Sequence, residues 1–353
     1  AWMTWLGGRW SPRLAVALLV ACGAIALMRS SKARPAARSS LDLDVPTALL
    51  LTIVFAVTLG LRINHIRGVL APAWSDSLHH VIISQLIIEG GRIPTNYGPL
   101  FDIGTFHYHF GFHTLVAFWA WLTNLPPHIA VLWMGQVVNA LSPLTVYFFL
   151  AYGLRDRRAG VVGAVIVGLL TISPANHVNF GRYPQLTGQL LLPVPMALML
   201  RTLWAENGEQ RPWKLAAVSA AGLCLVHYRV VLFLGCFVIA NVLILVWMRW
   251  RTWQDIRRVL LETLRTAVAG AVIVAPWLAH LALMYNRQIA TETAIAETSN
   301  GYYHLSLGFI MGWSVPGPLI ALAMLSGGWA VLRRAWRAVS LGIWVLLMFF
   351  VSF

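Results

Sequence analysis

Charged residues are scarce in this sequence. They make up 11% of its 353 residues, whereas a soluble domain carries about 25%. Apolar residues make up 59%, and the mean hydropathy is +0.71. No soluble fold could bury that much apolar surface, so the composition excludes a soluble globular protein and predicts a polytopic membrane protein. The length permits about ten membrane spans and leaves little for a separate soluble domain.

Acidic residues are scarcer than basic ones, 12 against 26, which gives a formal net charge of +14. In a soluble protein such an excess would suggest nucleic-acid binding. Here most of the basic residues lie at the ends of apolar runs, as the positive-inside rule expects of cytoplasmic loops. The charge is therefore a topology signal, and we predict no nucleic-acid partner. The five basic clusters lie at 29–38, 155–158, 201–214, 249–265 and 333–337.

Cysteine is rare as well. The three cysteines, Cys22, Cys224 and Cys236, all lie inside apolar runs, where a thiol packs as a small hydrophobic group. This placement excludes a disulfide framework. The chain starts at Ala1 and stops inside an apolar run, so we expect sequence to be missing at both ends.

Ten apolar runs contain no Arg, Lys, Asp or Glu. A single helix through 215–226 and 230–248 would be about 50 Å long, too long for a hydrocarbon core of about 30 Å. We therefore predict two helices that meet at His227-Tyr228-Arg229. The predicted fold is all-α, one polytopic transmembrane helical bundle of about ten spans over residues 1–353. The runs are 14–28, 45–61, 129–154, 159–173, 186–200, 215–226, 230–248, 266–286, 305–332 and 338–353.

The longest segment between basic clusters, 62–127, should be extracytoplasmic. It follows the run 45–61 and precedes the run 129–154, which ends at the basic cluster 155–158. The chain needs to cross the membrane only once between this segment and the basic cluster 155–158, so the apolar stretch 110–123 should not cross it as well. A stretch of about 13 residues is also too short to cross comfortably. We predict a large extracytoplasmic loop that carries amphipathic helices, with 110–123 interfacial or re-entrant.

In this topology every histidine lies in an outer loop or at an outer helix end. A single histidine at a membrane interface is common, but chance would scatter eleven of them to both faces. We interpret the whole set as a polar site on the outer face. The histidines are His65, His79, His80, His107, His109, His113, His128, His177, His227, His280 and His304.

The centre of the outer loop reads Ala-Trp-Ser-Asp-Ser-Leu-His-His over residues 73–80. Ser75 or Asp76 is a good N-cap for a short amphipathic helix that ends at Gly90-Gly91. Asp76 and His80 are four residues apart, so they should share a helix face. The carboxylate of Asp76 either caps the helix only or also acts as a general base.

A second histidine pair, His109 and His113, has the spacing of metal ligands on one helix face. Asp102, in the turn-rich segment before them, could join such a site. The alternative interpretation is an aromatic interfacial belt with histidines at the water boundary.

Two arginines stand out at outer helix ends. Arg182, beside Tyr183 in the second outer loop, either snorkels to lipid headgroups or contacts a phosphate. Arg229, beside His227, interrupts a long apolar stretch, and charges at such positions are functional candidates. A cation at the outer membrane boundary is well placed to hold a lipid phosphate.

This layout resembles the GT-C superfamily of polytopic membrane glycosyltransferases. The shared pattern begins with a span and a long outer loop that has an acid near its start, here Trp74-Ser75-Asp76. An amphipathic helix like 78–91, a short hydrophobic helix like 110–123 and a helix that ends in basic residues, here 155–158, come next. The pattern continues with a span that ends in Ser173-Pro174.

The last elements of the resemblance are an outer loop with an arginine, here Arg182, and a helix pair joined at Leu225-Val226-His227. The resemblance covers about 45–250. It implies transfer of a sugar from a polyprenyl-phosphate donor to an acceptor glycan, lipid or protein, on the extracytoplasmic face of the plasma membrane. Asp76 matches the catalytic acid of the superfamily, which serves as base.

Some members use a divalent metal, Mg or Mn, and here the candidate ligands are Asp76, Asp102, His109 and His113. Independently of the resemblance, such a transfer needs a base for the acceptor hydroxyl and positive charge for the departing phosphate. The candidate substrate-binding residues are Arg182, Tyr183, His227, Arg229, His79, His80, Asp102 and His109.

Two other functions stay open at this point. The pair His79-His80 and the pair His109 and His113 could be histidine boxes of a metal-dependent membrane oxidoreductase, although their outer placement is far from cytoplasmic reductant. Alternatively, the protein is a non-catalytic or accessory subunit of a larger membrane complex.

Overall fold

The computed structural model describes residues 1–32, 43–206, 208–291 and 317–352. All regular structure in these ranges is helical, which confirms the predicted all-α class. His304 and the loop 33–42 lie outside the described residues. The helices are Trp2–Trp5 (α1), Pro12–Lys32 (α2), Val45–His65 (α3), Ser75–Gly90 (α4), Gly111–Thr123 (α5), Pro127–Phe148 (α6), Arg157–Val165 (α7), Tyr183–Leu191 (α8), Pro193–Leu203 (α9), Trp213–Val226 (α10), Tyr228–Met248 (α11), Trp253–Thr291 (α12), Gly317–Leu332 (α13) and Trp336–Ser352 (α14).

Six helical stretches of the described chain are long and apolar enough to cross a membrane. Four shorter apolar helical stretches of 10–17 residues accompany them. The structure thus supports a membrane protein with six long helices, and the count of ten spans stays a prediction. The six stretches are Val45–His65, Pro127–Gly153, Arg157–Phe180, Tyr183–Leu203, Tyr228–Met248 and Trp253–Met284.

The predicted break in the long apolar stretch is confirmed. Helix α10 ends at Val226 and α11 begins at Tyr228. His227, between them, has an extended backbone, with φ −163° and ψ 114°. The chain therefore turns at this residue and places the histidine at the meeting point of two helices.

Four of the five basic clusters, 155–158, 201–214, 249–265 and 333–337, are joined by contacts at one end of the bundle. Arg155, after α6, forms an ion pair with Glu209, before α10. Arg211 lies 3.8 Å from the carboxylate of Glu262 in α12. Arg337, at the start of α14, donates to the carbonyl oxygen of Trp204 at 3.4 Å.

The opposite end, where the candidate site lies, joins the remaining helix termini. His65, at the end of α3, lies with its Nε2 atom 3.1 Å from the side-chain oxygen of Asn179. His280, in α12, lies with its Nε2 atom 2.7 Å from the carbonyl oxygen of Phe106. The ten histidines of the described residues all belong to segments at this end.

The segment 62–127 begins and ends at this same end of the bundle. It starts at the end of α3 and finishes at the start of α6, and α5 packs between α4 and α6. Helix α5 has 13 residues, about 20 Å at 1.5 Å per residue. The chain therefore has no need of a crossing in this segment, and its extracytoplasmic side stays a prediction.

Close helix packing supports the site from below. Gly135 of α6 lies against the ring of Tyr183, which is 1% exposed and stacks on Phe112 with 5.6 Å between ring centroids. A glycine lets the helix backbone approach an aromatic ring directly. This contact ties α5, α6 and α8 into one core beneath the polar end.

Candidate functional site

Four segments distant in the sequence converge at this end. They are the start of α4, the stretch 106–113 that leads into α5, the loop 173–183 before α8, and the junction of α10 and α11. They bring together a group of imidazoles that we call the histidine cluster. The histidine cluster consists of His79, His80, His109, His113 and His227.

The deepest members of the histidine cluster are His80 and His113. The Nδ1 atom of His80 lies 3.1 Å from the Nε2 atom of His113, and the two side chains are 2% and 0% exposed. One ring nitrogen must donate and the other accept, so the bond requires an unprotonated nitrogen. Burial lowers the pKa of His80 to about 3 and that of His113 well below its usual range. Both rings are therefore neutral at physiological pH.

His109 and His227 form the next layer, with 4.7 Å between ring centroids. Burial lowers the pKa of His109 to about 2, with the neighbouring histidines adding to the effect. Burial and then the charge of Arg229 lower the pKa of His227 to about 4. Among the described residues, neither His109 Nε2 nor His227 Nδ1 has a hydrogen-bond partner, although both atoms are buried. Both can engage a polar ligand.

Tyrosines close the outer side of the histidine cluster. The Nε2 atom of His79 lies 2.7 Å from the hydroxyl of Tyr97, and the ring of His79 meets that of Tyr108 edge to face at 4.8 Å. Burial raises the pKa of both phenols to about 12. Both tyrosines therefore keep their protons and act as neutral hydrogen-bonding groups.

Asp76 is exposed in the first turn of α4. The predicted N-cap is wrong, because Trp74, with φ +77°, precedes the helix and no side chain caps it. The charge of the carboxylate instead shifts the pKa values of two nearby side chains. Burial lowers the pKa of His79, and the charge of Asp76 opposes this decrease. Burial raises the pKa of Tyr108, and the charge of Asp76 adds to this increase. An exposed anion thus adjoins a buried neutral cluster.

The charge of Arg229 reaches the same tyrosine. Its charge lowers the pKa of Tyr108, opposing the larger effect of burial, and its side chain is exposed. The charges of Asp76 and Arg229 therefore both reach the phenol of Tyr108. An exposed anion and an exposed cation thus both act on one half-buried tyrosine.

The loop 173–183 is held against the start of α4. Gly181 has φ +66°, and a Cβ atom there would lie 2.5 Å from the hydroxyl of Ser77. The next residue, Arg182, is exposed, and its guanidinium lies 5.9 Å from the ring centroid of Phe180. The ring of Phe180 in turn meets that of Trp74 at 5.7 Å. These contacts hold Arg182 at the edge of the site, near the start of α4.

Tyr183 and Asp102 differ in their surroundings. Tyr183 is buried in the core and has its ring centroid 6.2 Å from that of His80. Asp102 is exposed, and none of the contacts of the histidine cluster described above involves it. The roles of both residues in substrate binding stay predictions.

The predicted metal site is not assembled among the described residues. No three His, Cys, Asp or Glu side chains in those ranges are arranged to hold a metal ion. His109 precedes α5, which begins at Gly111, so His109 and His113 do not share a helix face as their spacing suggested. The divalent-metal site and the histidine-box oxidoreductase stay predictions.

Helix α12 takes part in a chain of two hydrogen bonds that the sequence did not reveal. The indole nitrogen of Trp277 donates to the hydroxyl of Tyr228 at 2.9 Å, and that hydroxyl donates to the carbonyl oxygen of His107 at 3.2 Å. The signal in the sequence that pointed from α12 to the site was the placement of His280 at an outer helix end. These bonds connect the junction of α10 and α11 to the loop before α5.

The fold and the site define a polytopic helical protein with long apolar helices and a polar cluster at one end. The whole chain, residues 1–353, matches the protein family DUF6541, described as a family of unknown function, and the protein belongs to that family. No curated protein matches the chain.

Proposed function

We propose that this protein is a membrane glycosyltransferase that moves a sugar from a polyprenyl-phosphate donor to an acceptor hydroxyl at the extracytoplasmic end of the bundle. The observation that carries the proposal is the convergence of Asp76, Arg229 and Arg182, from three distant segments, around one histidine and tyrosine cluster. These are the groups that the chemistry requires.

The proposed reaction forms one bond and breaks another. The acceptor oxygen forms a bond to the anomeric carbon, and the bond between that carbon and the phosphate oxygen breaks. The electron pair of the broken bond stays on the phosphate, and the hydroxyl proton passes to Asp76. No redox step and no further reactant are needed.

Asp76 suits the role of base because its carboxylate is exposed, so an acceptor can approach it. A general base must come within about 3 Å of the proton that it removes. His79, next to it, is held by Tyr97 and is neutral, since the net effect of burial is to lower its pKa. A neutral imidazole leaves Asp76 as the charged acceptor of the proton.

The arginines suit the departing phosphate. Guanidinium groups bind phosphate oxygens through paired hydrogen bonds, and positive charge stabilises the negative charge that develops as the bond breaks. Arg229 and Arg182 are both exposed at the rim, where a lipid phosphate could reach them from the membrane boundary. The buried nitrogens of His109 and His227 offer further hydrogen bonds to the sugar.

Asp76→Asn is the direct test. Purified protein in liposomes would receive farnesyl-phosphate-linked mannose, glucose and arabinose, and the release of farnesyl phosphate would be measured. The variant should lower the rate by about 10² or more, because the base is lost while the shape is kept. The free energy of unfolding should change by less than about 1 kcal/mol. Asp76 makes no capping hydrogen bond, so the substitution removes only the interaction of its charge with the helix dipole.

Glu89→Gln is the matched control. Glu89 is an exposed acid at the far end of α4, where it accepts a hydrogen bond from Gln85 at 2.8 Å. It lies 13 residues beyond Asp76, about 20 Å along the helix. Equal rates of farnesyl phosphate release by Asp76→Asn and by the wild type would show that Asp76 is not the base. Binding of the donors without any release by the wild type would instead favour a non-catalytic accessory subunit.

A further inference from the structure

A cavity lies between the end of α3 and the segment 168–179. Its volume is about 330 Å³. Its polar lining comes from Arg62 and His65 of α3 and from Thr171, Asn176 and Asn179 of the segment that follows α7. None of these five residues belongs to the histidine cluster or to the proposed transfer chemistry.

Arg62 differs from an arginine that merely reaches for headgroups. It sits in the last turn of α3 and is half-buried, and its Nε atom is buried without a hydrogen-bond partner among the described residues. An arginine at a helix end normally extends its guanidinium into the headgroup region. Arg67, five residues later, is exposed.

The cavity also contains an unpaired acceptor. The Oδ1 atom of Asn176 is buried and has no partner among the described residues. Since buried polar groups in folded proteins are nearly always paired, an unpaired donor and an unpaired acceptor in one cavity point to a ligand that offers both kinds of group. A phosphate with a neighbouring hydroxyl is such a ligand.

The remaining walls are apolar and face outward. Leu169, Leu170 and Ile172 line the cavity and are 41%, 64% and 60% exposed. They lie within the stretch Arg157–Phe180, which is long and apolar enough to cross a membrane. An acyl or isoprenoid chain that leaves the cavity along them would cover surface that is otherwise exposed.

We infer that this cavity binds the phosphate headgroup of a membrane lipid, with Arg62 as the charged contact. The guanidinium holds the phosphate, Asn176 accepts from a headgroup hydroxyl, and His65 with Asn179 closes the cavity through their 3.1 Å contact. The inference does not depend on sugar transfer, because it uses no residue of the histidine cluster.

The test is lipid binding in detergent, measured by native mass spectrometry with dioleoyl phosphatidylglycerol as probe. Arg62→Gln should weaken binding by about 10-fold or more, the effect of losing one charge-assisted hydrogen bond. Asn176→Asp keeps the shape but places a negative charge in the cavity, so it should weaken binding as well. Arg67→Gln, the matched control, should bind within about 2-fold of the wild type.

Three further binding measurements test which parts of the lipid are recognised and whether the site is independent of Asp76. Dioleoylglycerol, which lacks the phosphate, should not bind. Glycerophosphoglycerol, which lacks the chains, should bind far more weakly than the lipid, and equal binding would overturn the assignment to a lipid. Asp76→Asn should bind the lipid normally, so a failure of the proposed transfer leaves this site intact. Equal binding by the wild type and Arg62→Gln would overturn the site itself.

Discussion

His80 and His113 share a hydrogen bond of 3.1 Å in a position closed to solvent. The bond joins α4 to α5 and requires at least one ring nitrogen to be unprotonated. Because burial lowers both pKa values, protonation of either ring would place a charge in the core, and protonation of both rings would break the bond. The stability of this end of the bundle is therefore coupled to pH.

Acid should destabilise the protein through these histidines. In the unfolded chain each histidine takes up a proton near pH 6.5, whereas His80 and His109 in the fold do so only at about 3 and about 2. Their stabilisation is thus present above about pH 6.5 and is lost as the pH falls towards the folded values. The free energy of unfolding should drop by up to about 1.4 kcal/mol per pH unit per histidine. Urea unfolding in detergent at pH 7.5, 6 and 5 measures it.

The double variant His80→Asn/His113→Asn provides the comparison. It removes two of the coupled groups, so the dependence on pH should become shallower even if the variant is less stable overall. His128→Asn, at an exposed position in the first turn of α6, should keep the slope of the wild type. Identical slopes in all three proteins would contradict the coupling.

Gly181→Ala should loosen the loop that carries Arg182. The residue has φ +66°, and the new Cβ atom would lie 2.5 Å from the hydroxyl of Ser77. We expect a loss of about 2–4 kcal/mol, about 1–2 from the backbone and the rest from the overlap. Gly68→Ala, with φ +79° and no atom within 4 Å, should lose only the backbone part. Thermal unfolding of the two variants side by side measures the difference, and equal losses would argue against the packing contact.

Gly135→Ala should destabilise the core beneath the site, because its Cβ atom would overlap the ring of Tyr183. Alanine normally stabilises a helix by about 1 kcal/mol relative to glycine. Gly235→Ala, in α11 with open space around it, should show that normal gain. Opposite shifts of the melting temperature are therefore expected, and a rise for both variants would mean that Tyr183 moves aside freely.

Cysteine labelling should establish the two ends of the bundle. In a background with Cys22, Cys224 and Cys236 replaced by alanine, Asn96→Cys and Asn124→Cys should react with an impermeant maleimide from outside the cell. Glu206→Cys, an exposed position between α9 and α10, should react only after permeabilisation. Labelling of positions 96 and 124 from opposite sides would refute a common outer face for 62–127.

Local signals predicted several helix ends correctly. Helix α4 ends at Gly90, and Gly91 follows in the left-handed region with φ +61°, as expected of glycine after a helix. The break at His227 followed from the length of the apolar stretch and the width of a bilayer. Each of these features depends on a few residues that are neighbours in the sequence, so the sequence alone predicts them.

Other local signals were overridden by packing. Asp76 and Ser75 suggested a cap, yet the hydroxyl of Ser77 bonds back to the carbonyl oxygen of Ala73, and Gly181 packs on this turn. The spacing of His109 and His113 suggested one helix face, yet α5 begins only at Gly111. In both places contacts from another part of the chain determined the backbone.

The sequence by itself determined the helical membrane class and the gathering of basic residues at one end, because composition and the desolvation of charge act wherever the residues lie. Only the tertiary structure decided which polar side chains meet. His80 and His113 are 33 residues apart, and His280 and Phe106 are 174 residues apart. Contacts over such separations depend on how the helices pack against one another, and that packing is a property of the folded chain as a whole.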